Sequence, residues 1–149
     1  MTTLCVNRRA RFDYTIVSTF EAGIVLLGTE VQALRKGRGQ ITESFANFQG
    51  SQLILRNAFI GAYAHAASSH EERRSRVLLC HKREIRRLRG QIEQKGYTLV
   101  PLSLYTNARG KIKIEMGCVT GKKSYEKRAT LKKRDWQREK ERVFRRTSV

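Results

Sequence analysis

Acidic residues are scarce in this 149-residue sequence. Asp and Glu number 13 against 31 Lys and Arg, which leaves a formal net charge of +18. A chain so poor in acids is expected to bind a polyanion. Nucleic acid is the leading candidate, because each phosphate that is neutralised releases counterions and favours binding. An anionic membrane surface is the alternative, but it needs a basic helix with a clear apolar face, and none is visible.

Long hydrophobic runs and closely spaced cysteines are also missing. No run of about 18 apolar residues exists, so no segment is expected to span a membrane. The start, MTTLCVNRRA, has no apolar signal core, which predicts a cytoplasmic protein. The three cysteines, Cys5, Cys80 and Cys118, are an odd number without close pairing. They predict reduced thiols rather than a disulfide framework.

The motifs of enzymes and metal sites are incomplete. GKKS at 121–124 is similar to the end of a phosphate-binding loop, but a second lysine intervenes before the serine and the glycine spacing is wrong. Cys80, His81, His65 and His70 show neither CxxC nor HxxxH spacing, so no metal ion is predicted. No pair of carboxylates is spaced for nuclease chemistry. The residues therefore give no support to an enzyme, and no cofactor is predicted.

A basic C-terminal segment, 121–146, is the most prominent feature that is present, with twelve Lys or Arg and four acids. Its apolar residues do not recur at helical spacing, so the segment has no stripe to bury in a core. Most of its residues nevertheless favour a helix. Two interpretations remain open: a solvated, disordered tail, or a segment that becomes helical on an external polyanion.

Strand patterns are frequent in the rest of the chain. Aromatic, β-branched and alternating residues predict strands at 12–17, 23–27, 44–49, 52–58, 100–104 and 112–118, the last two joined by a turn at 107–110. Pro101 should lie at an edge or a strand start. Core side chains are expected from Phe45, Phe48, Leu53, Leu55 and Phe59.

Two helices are predicted between these strands. One covers 29–37, with Thr29 as its cap and Gly37 at its end, and the other covers 81–95, with Gly96 after it. We expect an extended lead-in at 1–11 and a mobile loop at 61–76, whereas residues 77–79 are either extended or the start of a helix.

Short strands, two helices and no βαβ alternation predict a mainly β protein. The expected fold is a small antiparallel barrel or curled sheet with helices on its flank. We divide the chain into a basic β-barrel domain at 1–120, which would bind RNA, and a C-terminal tail at 121–149, which would be disordered when free.

Two acids in this basic chain, Glu21 and Glu30, are placed near predicted strands. A carboxylate there accepts hydrogen bonds from base edges, which Arg and Lys cannot do. The alternative for each is a surface acid paired with a neighbouring base. The sequence leaves both interpretations open.

Seven motifs occur in an order that resembles one known family. They are NRRAR at 7–11, FEAG at 20–23, GTEVQALRKG at 28–37, LLCHKREI at 78–85, PLSLY at 101–105, KIKIE at 111–115 and GKKSYEKR at 121–128. Each alone is weak, but together they resemble the SsrA-binding protein family, also called small protein B, over about residues 5–145.

The resemblance implies a non-enzymatic adaptor with a barrel of the oligonucleotide-binding type. Such an adaptor would bind the tRNA-like domain of transfer-messenger RNA and accompany it to bacterial ribosomes stalled without a stop codon. The implied partners are this RNA, the small-subunit decoding centre with the mRNA channel, and aminoacylated transfer-messenger RNA with elongation factor Tu. The protein is expected to be a monomer. Its tail would become helical in the empty mRNA channel.

The resemblance also implies two sets of site residues. Positions matched to RNA binding are Asn7, Arg9, Tyr14, Glu21, Leu79 and Lys111. Positions matched to ribosome contacts of the tail are Gly121, Lys122, Lys123, Tyr125, Glu126, Lys127, Arg128 and Trp136. Glu126 departs from the family pattern, in which this position is usually Asp. Two other classes remain as alternatives, an RNA-processing enzyme and a structural protein of the ribosome.

Overall fold

The computed structural model describes residues 2–62 and 70–121. The strands there are β1 (Thr2–Val6), β2 (Tyr14–Ile24), β3 (Gly39–Gln40), β4 (Phe45–Gln49), β5 (Gln52–Arg56), β6 (Phe59–Ile60), β7 (Arg76–Leu79), β8 (Thr98–Thr106) and β9 (Ile112–Gly121). The helices are α1 (Ala10–Asp13), α2 (Gly28–Arg35) and α3 (Lys82–Lys95).

Six of these strands close into an antiparallel barrel. Neighbours follow the order β8-β4-β5-β7-β2-β9, and β9 pairs back with β8 to complete the ring. β1 is added through β8, whereas β3 and β6 form a separate two-stranded ladder. Closure pairs the strand edges and sends alternate side chains inward. The prediction of a mainly β, antiparallel fold with helices is confirmed.

The strand β2 corrects two sequence predictions at once. The strands predicted at 12–17 and 23–27 are correct for residues 14–17 and 23–24, but their separation is wrong, because one continuous strand pairs with β9 from Tyr14 to Gly23. Ser18 and Thr19 interrupt the apolar pattern, yet the alternation continues inward through Phe20 and Ala22. The sequence pattern shows only the polarity of the side chains, whereas the length of a strand depends on the partner strand beside it.

The N-terminal segment is more ordered than an extended lead-in. β1 pairs with the end of β8, and one turn of helix, α1, follows before β2. Pro101 lies inside β8 and is buried, so its predicted position at an edge or start is wrong. There the ladder with β9 shifts register between Pro101 and Ser103, and a bulge of this kind tolerates a residue without an N–H.

The two predicted hairpins are confirmed. β4 and β5 pair around Gly50, whose φ is +63°, and β8 and β9 pair around the turn that ends at Gly110, with φ +78°. The predicted core is correct for Leu53 and Leu55, which have 0% exposure, but wrong for Phe45, which is 40% exposed. Phe45 lies on the outer face because its neighbour Ala46 takes the inward position on β4.

Both predicted helices are confirmed, and Gly96 ends α3 in the left-handed conformation. The predicted Thr29 cap of α2 is wrong. The helix begins after Leu27, whose backbone N–H donates to Glu30 Oε1 at 2.8 Å. The Thr29 hydroxyl instead lies 2.8 Å from His70 Nδ1. Since His70 Nε2–H donates to the Ile60 carbonyl, Nδ1 accepts from Thr29.

The predicted loop at 61–76 is only partly described, since residues 63–69 lie outside the described ranges. Its last residue, Arg76, is fully buried and begins β7, so the loop prediction is wrong there. Residues 77–79 are extended, which decides between the two alternatives for them. No helix within 2–62 or 70–121 is long and apolar enough to cross a membrane.

Candidate RNA interface

Three of the six predicted RNA-binding residues meet on one surface of the barrel. Two adjoining depressions of about 310 and 370 Å³ share Gly23, Leu79 and Lys113 in their linings. Glu21 lines the first depression and Lys111 the second. We call this continuous surface the Glu21 depression. Residues up to 92 positions apart in the sequence therefore lie in one place.

Strand register explains why these residues meet. Gly23 on β2 pairs with Leu79 on β7 and with Lys113 on β9. One row thus crosses three strands, and Tyr105 on β8 extends it beyond Lys113. A Cβ atom on Gly23 would lie 3.3 Å from the Leu79 Cβ, so the glycine allows Leu79 to approach β2 closely.

A second row of cross-strand partners lies two residues away from the first, on the same outer face of the sheet. Glu21 on β2 pairs directly with Glu115 on β9, and Glu115 pairs with Ser103 on β8. Two carboxylates therefore stand side by side on a chain with a large excess of positive charge. Cross-strand partners of like charge repel each other, so this pair is expected to favour contact with external hydrogen-bond donors.

Tyr105 holds the Glu21 carboxylate from across the sheet. Its phenol O–H donates a hydrogen bond to Glu21 Oε2. Desolvation, this hydrogen bond and the charges of Glu21 and Glu115 raise the pKa of Tyr105 to about 12. The phenol therefore remains a protonated donor at neutral pH. Glu21 is itself exposed, which leaves its other lone pairs open to solvent.

Leu79 adds an apolar surface to the depression, and Lys111 and Lys113 add positive charge. The Leu79 side chain is 58% exposed, which makes it the most exposed large hydrophobic residue in the described part of the chain. An apolar side chain in that position offers contact to the face of a base or to a ribose. Lys111 and Lys113 border the same surface and carry the charge that phosphates require.

The other three predicted RNA-binding residues do not join this surface. Tyr14 pairs with Gly121 at the opposite end of β2, seven residues or about 23 Å from Glu21. Asn7 is 6% exposed, and its Nδ2 donates to the Pro101 carbonyl at 2.9 Å. Arg9 lies on the surface just before α1. The RNA-binding roles of all six residues stay predictions.

Glu30, the other acid considered at the outset, is not at this surface. It is completely buried and forms ion pairs with Arg74 and Arg76. Burial opposes ionisation, but hydrogen bonds from Arg74, the Leu27 backbone and Arg76 hold the pKa of Glu30 below its usual value. Its role in the described structure is to join α2 to β7.

The predicted site residues did not include Lys113, which lines the depression, or Tyr105 and Glu115, which are the neighbours of Glu21 on the adjoining strands. A signal for two of them was present, since Lys113 and Glu115 alternate with buried residues in KIKIE and share a face with Lys111. Nothing in the sequence paired Tyr105 with Glu21, because that contact spans 84 positions. Among the described residues, no group of three or more His, Cys, Asp or Glu could hold a metal ion.

The predicted tail residues lie almost wholly outside the described ranges. Gly121 is the last residue of β9 and is exposed. The prediction of ribosome contacts by Lys122, Lys123, Tyr125, Glu126, Lys127, Arg128 and Trp136 therefore stays a prediction, as does the proposed domain boundary.

The fold, the charge and the open depression together define a class, the small basic barrel proteins that bind RNA. The model of the SmpB protein family matches residues 4–146. The chain therefore belongs to the SmpB family. Members of this family are RNA-binding proteins and not enzymes.

Individual relatives agree with this assignment. An SsrA-binding protein of Caulobacter vibrioides is 52% identical over 139 residues, covering 93% of this chain and 91% of the relative. An SsrA-binding protein of Sphingomonas elodea is 49% identical over 144 residues, covering 96% and 90%. The resemblance to the SsrA-binding protein family is thus confirmed.

One solved structure shares the fold. It is described as "tmRNA-SmpB: a journey to the center of the bacterial ribosome", and its matching chain is 50% identical with a TM-score of 0.67. The match covers 80% of this chain and 85% of that chain.

Proposed function

We propose that this protein is the adaptor that binds the tRNA-like domain of transfer-messenger RNA and delivers it to stalled ribosomes. One observation carries this proposal: the barrel brings Glu21, Leu79 and Lys111 into a single depression. The family resemblance selected these residues separately, from three different motifs. Their convergence on an exposed surface supports a shared ligand.

The chemistry of the depression suits a folded RNA. Such RNA is recognised by its shape, its phosphates and its unstacked bases. In the proposal, the Glu21 carboxylate accepts hydrogen bonds from a base edge or a ribose 2′-hydroxyl. Leu79 packs against an exposed base or sugar face, and Lys111 and Lys113 neutralise neighbouring phosphates.

The tail has a separate task in this proposal. Residues 122–149 follow the end of β9 in the sequence, and the segment 121–146 carries a net charge of +8 from twelve basic and four acidic residues. We assign it to the decoding centre and the vacant mRNA channel, where it would become helical. A channel filled with mRNA would exclude it, which would restrict delivery to stalled ribosomes.

The remaining partners follow from the same role. The RNA cargo would be aminoacylated and accompanied by elongation factor Tu, and the protein would act as a monomer in the cytoplasm. Size-exclusion chromatography with light scattering tests the monomer directly, since a dimer would double the 17.2 kDa mass.

Binding to the RNA is tested by fluorescence anisotropy at fixed salt with labelled tRNA-like domain. Glu21→Ala should weaken binding, whereas the exposed Glu93 on α3 provides a matched control through Glu93→Ala. Equal affinities of the wild type and Glu21→Ala would contradict the assignment of the Glu21 depression.

The tail is tested in a translation assay with stalled ribosomes. Deletion of residues 125–149 should abolish tagging of the stalled chains while leaving RNA affinity within about twofold, since the barrel holds the RNA-binding surface. Tagging that continued without these residues would refute the assigned role of the tail.

A further inference from the structure

A third depression lies away from the Glu21 depression and shares no lining residue with it. Its volume is about 460 Å³, and its lining includes Arg9, Gln40, Glu43, Asn57, Phe59 and Arg73. These residues come from separate segments, before α1, in β3, after β3, between β5 and β6, in β6 and before β7. We call it the Arg73 pocket.

The guanidinium of Arg73 contacts both Phe59 and Asn57 there. Its Cζ lies 5.6 Å from the centroid of the Phe59 ring. Its Nη1 donates to the Asn57 backbone carbonyl at 3.3 Å and to Asn57 Oδ1 at 3.2 Å. The guanidinium carbon therefore lies within cation–π distance of the aromatic ring, and Nη1 is oriented by two hydrogen bonds to Asn57.

Asn57 is itself held in place. Its φ is +64°, so the backbone is left-handed, and its Nδ2 donates to the Glu43 carbonyl at 3.1 Å. Asn57 is the one described residue other than glycine with a positive φ. A left-handed conformation costs energy in most residues, although Asn accepts it comparatively well. The surroundings of Arg73 are thus organised before any ligand arrives.

The polar groups of the pocket match a nucleotide better than a lone phosphate. The Nη1 atom of Arg73 already donates a hydrogen bond to Asn57, and the negative charge of Glu43 repels a small anion. The Gln40 amide and the Glu43 carboxylate offer donors and acceptors to a base edge. Arg9, whose side chain is 68% exposed and 3.8 Å from Asp13 in a surface ion pair, can turn toward a phosphate.

We propose that the Arg73 pocket holds one unpaired nucleotide of the bound RNA, with its base stacked on the free face of the Arg73 guanidinium. Guanidinium planes and aromatic rings are the surfaces on which unstacked RNA bases rest. Phe59, Arg73 and the base would form one stack, and Arg9 would contact the adjoining phosphate. The inference rests on the proposed function only in taking RNA as the partner.

Nucleotide binding is measured by NMR titration of the full ¹⁵N-labelled chain with each of the four ribonucleoside 5′-monophosphates. Ribose 5-phosphate and inorganic phosphate serve as controls that lack a base. Resonances of the Arg73 Nε–H and the Gln40 and Asn57 side-chain amides should move with at least one nucleotide and not with the controls. Equal shifts with phosphate alone, or no shifts at all, would overturn the proposal.

A matched pair of variants separates stacking from charge. Arg73→Lys keeps the charge but removes the plane and should weaken binding of a single-stranded RNA oligonucleotide about tenfold. Arg89→Lys is the control, because Arg89 also lies over an aromatic ring, Phe48, and bonds a backbone carbonyl outside the pocket. Thermal melting establishes that both variants fold. Equal losses in the two folded variants would refute the stacking role.

The two proposals fail differently. If transfer-messenger RNA binds through Glu21 but neither the nucleotide shifts nor the Arg73→Lys loss appears, only the pocket is refuted. If the nucleotide shifts and the Arg73→Lys loss appear but transfer-messenger RNA does not bind, the proposed function is refuted and the pocket stands as a site for another RNA.

Discussion

Glu21 and Glu30 are nine residues apart in the chain, on β2 and α2, and their carboxylates have opposite surroundings. Glu21 is exposed and receives one hydrogen bond from a side chain of its own protein, that of Tyr105. Glu30 is 0% exposed and accepts from Arg74, Arg76 and the Leu27 backbone. One carboxylate faces outward on the barrel, and the other is enclosed beside it.

The Glu30 cluster, formed by Glu30, Arg74 and Arg76, joins α2, the connection between β5 and β6, and the start of β7. Arg76 also donates to the carbonyls of Ala58, Arg74 and Glu72, at 2.7, 2.8 and 3.2 Å. A buried guanidinium thus finds a partner for each of its nitrogens, as its burial demands. The result is a fixed start for β7, the strand that carries Leu79 to the Glu21 depression.

This contrast shows how a carboxylate becomes available to a ligand. An ionised carboxylate offers about four acceptor positions. At Glu30 the protein supplies three donors, two of them charged, and solvent is excluded. At Glu21 it supplies one neutral donor, so the remaining positions are open for donors from a partner. The same side chain stabilises the fold in one place and is free to bind in the other.

The largest expected effect is on stability, at Glu30. Glu30→Gln should lower the free energy of unfolding by about 3–5 kcal/mol, because the buried Arg76 loses its counter-charge. Chemical denaturation measures this, with Glu21→Gln as the exposed counterpart that should change stability by less than about 1 kcal/mol. Equal stability of Glu30→Gln and Glu21→Gln would show that the two carboxylates do not differ in their contribution to stability.

The second effect is on RNA affinity, at Glu21. Glu21→Gln keeps the size of the side chain but removes its charge, and hydrogen bonds to a charged group contribute about 1.5–3 kcal/mol. We therefore expect transfer-messenger RNA to bind about 10- to 100-fold more weakly in an anisotropy titration. An affinity within twofold of the wild type would show that the exposed carboxylate does not face the RNA.

A smaller effect is expected at Tyr105, which positions Glu21. Tyr105→Phe removes the hydroxyl that donates to Glu21 Oε2 and should weaken RNA binding about threefold, in keeping with the net contribution of one hydrogen bond. The double variant with Glu21→Gln should bind no more weakly than Glu21→Gln alone. Additive losses would show that Tyr105 acts on the RNA independently of Glu21.

The smallest expected effect is on the loss of stability at low pH. The pKa of Glu30 is lowered in the folded protein, so its stabilising contribution is complete above the unfolded value of about 4.5 and is lost as the pH falls toward the lower folded pKa. Denaturation between pH 6 and pH 3 should show a shallower acid decline for Glu30→Gln than for the wild type. Parallel curves would show that Glu30 does not supply this pH dependence.

Local patterns predicted much of the fold. The hairpin around Gly110 and the helix that ends at Gly96 follow from alternation, helical spacing and the turn preferences of glycine. Errors arose where a partner strand decides the outcome. Pro101 lies inside β8 because a bulge and neighbouring strands accommodate it, and β2 continues through Ser18 because β9 pairs alongside. No pattern within a single strand contains that information.

The candidate site shows the same division. Motifs selected Glu21, Leu79 and Lys111, but they selected Asn7 as well, and the structure buries that side chain against Pro101. Tyr105 was not among the predicted site residues, because its hydroxyl reaches Glu21 only across the intervening strand β9.

The sequence by itself determined the excess of positive charge, the antiparallel class of fold and membership of the family, since these depend on composition, local periodicity and the order of motifs. Only the tertiary structure decided which glutamate is enclosed and which is open. That outcome depends on the register of β2 with β9 and on the position of Arg76, 46 residues from Glu30. Contacts between distant residues decide burial, and burial decides whether a carboxylate stabilises the fold or binds a partner.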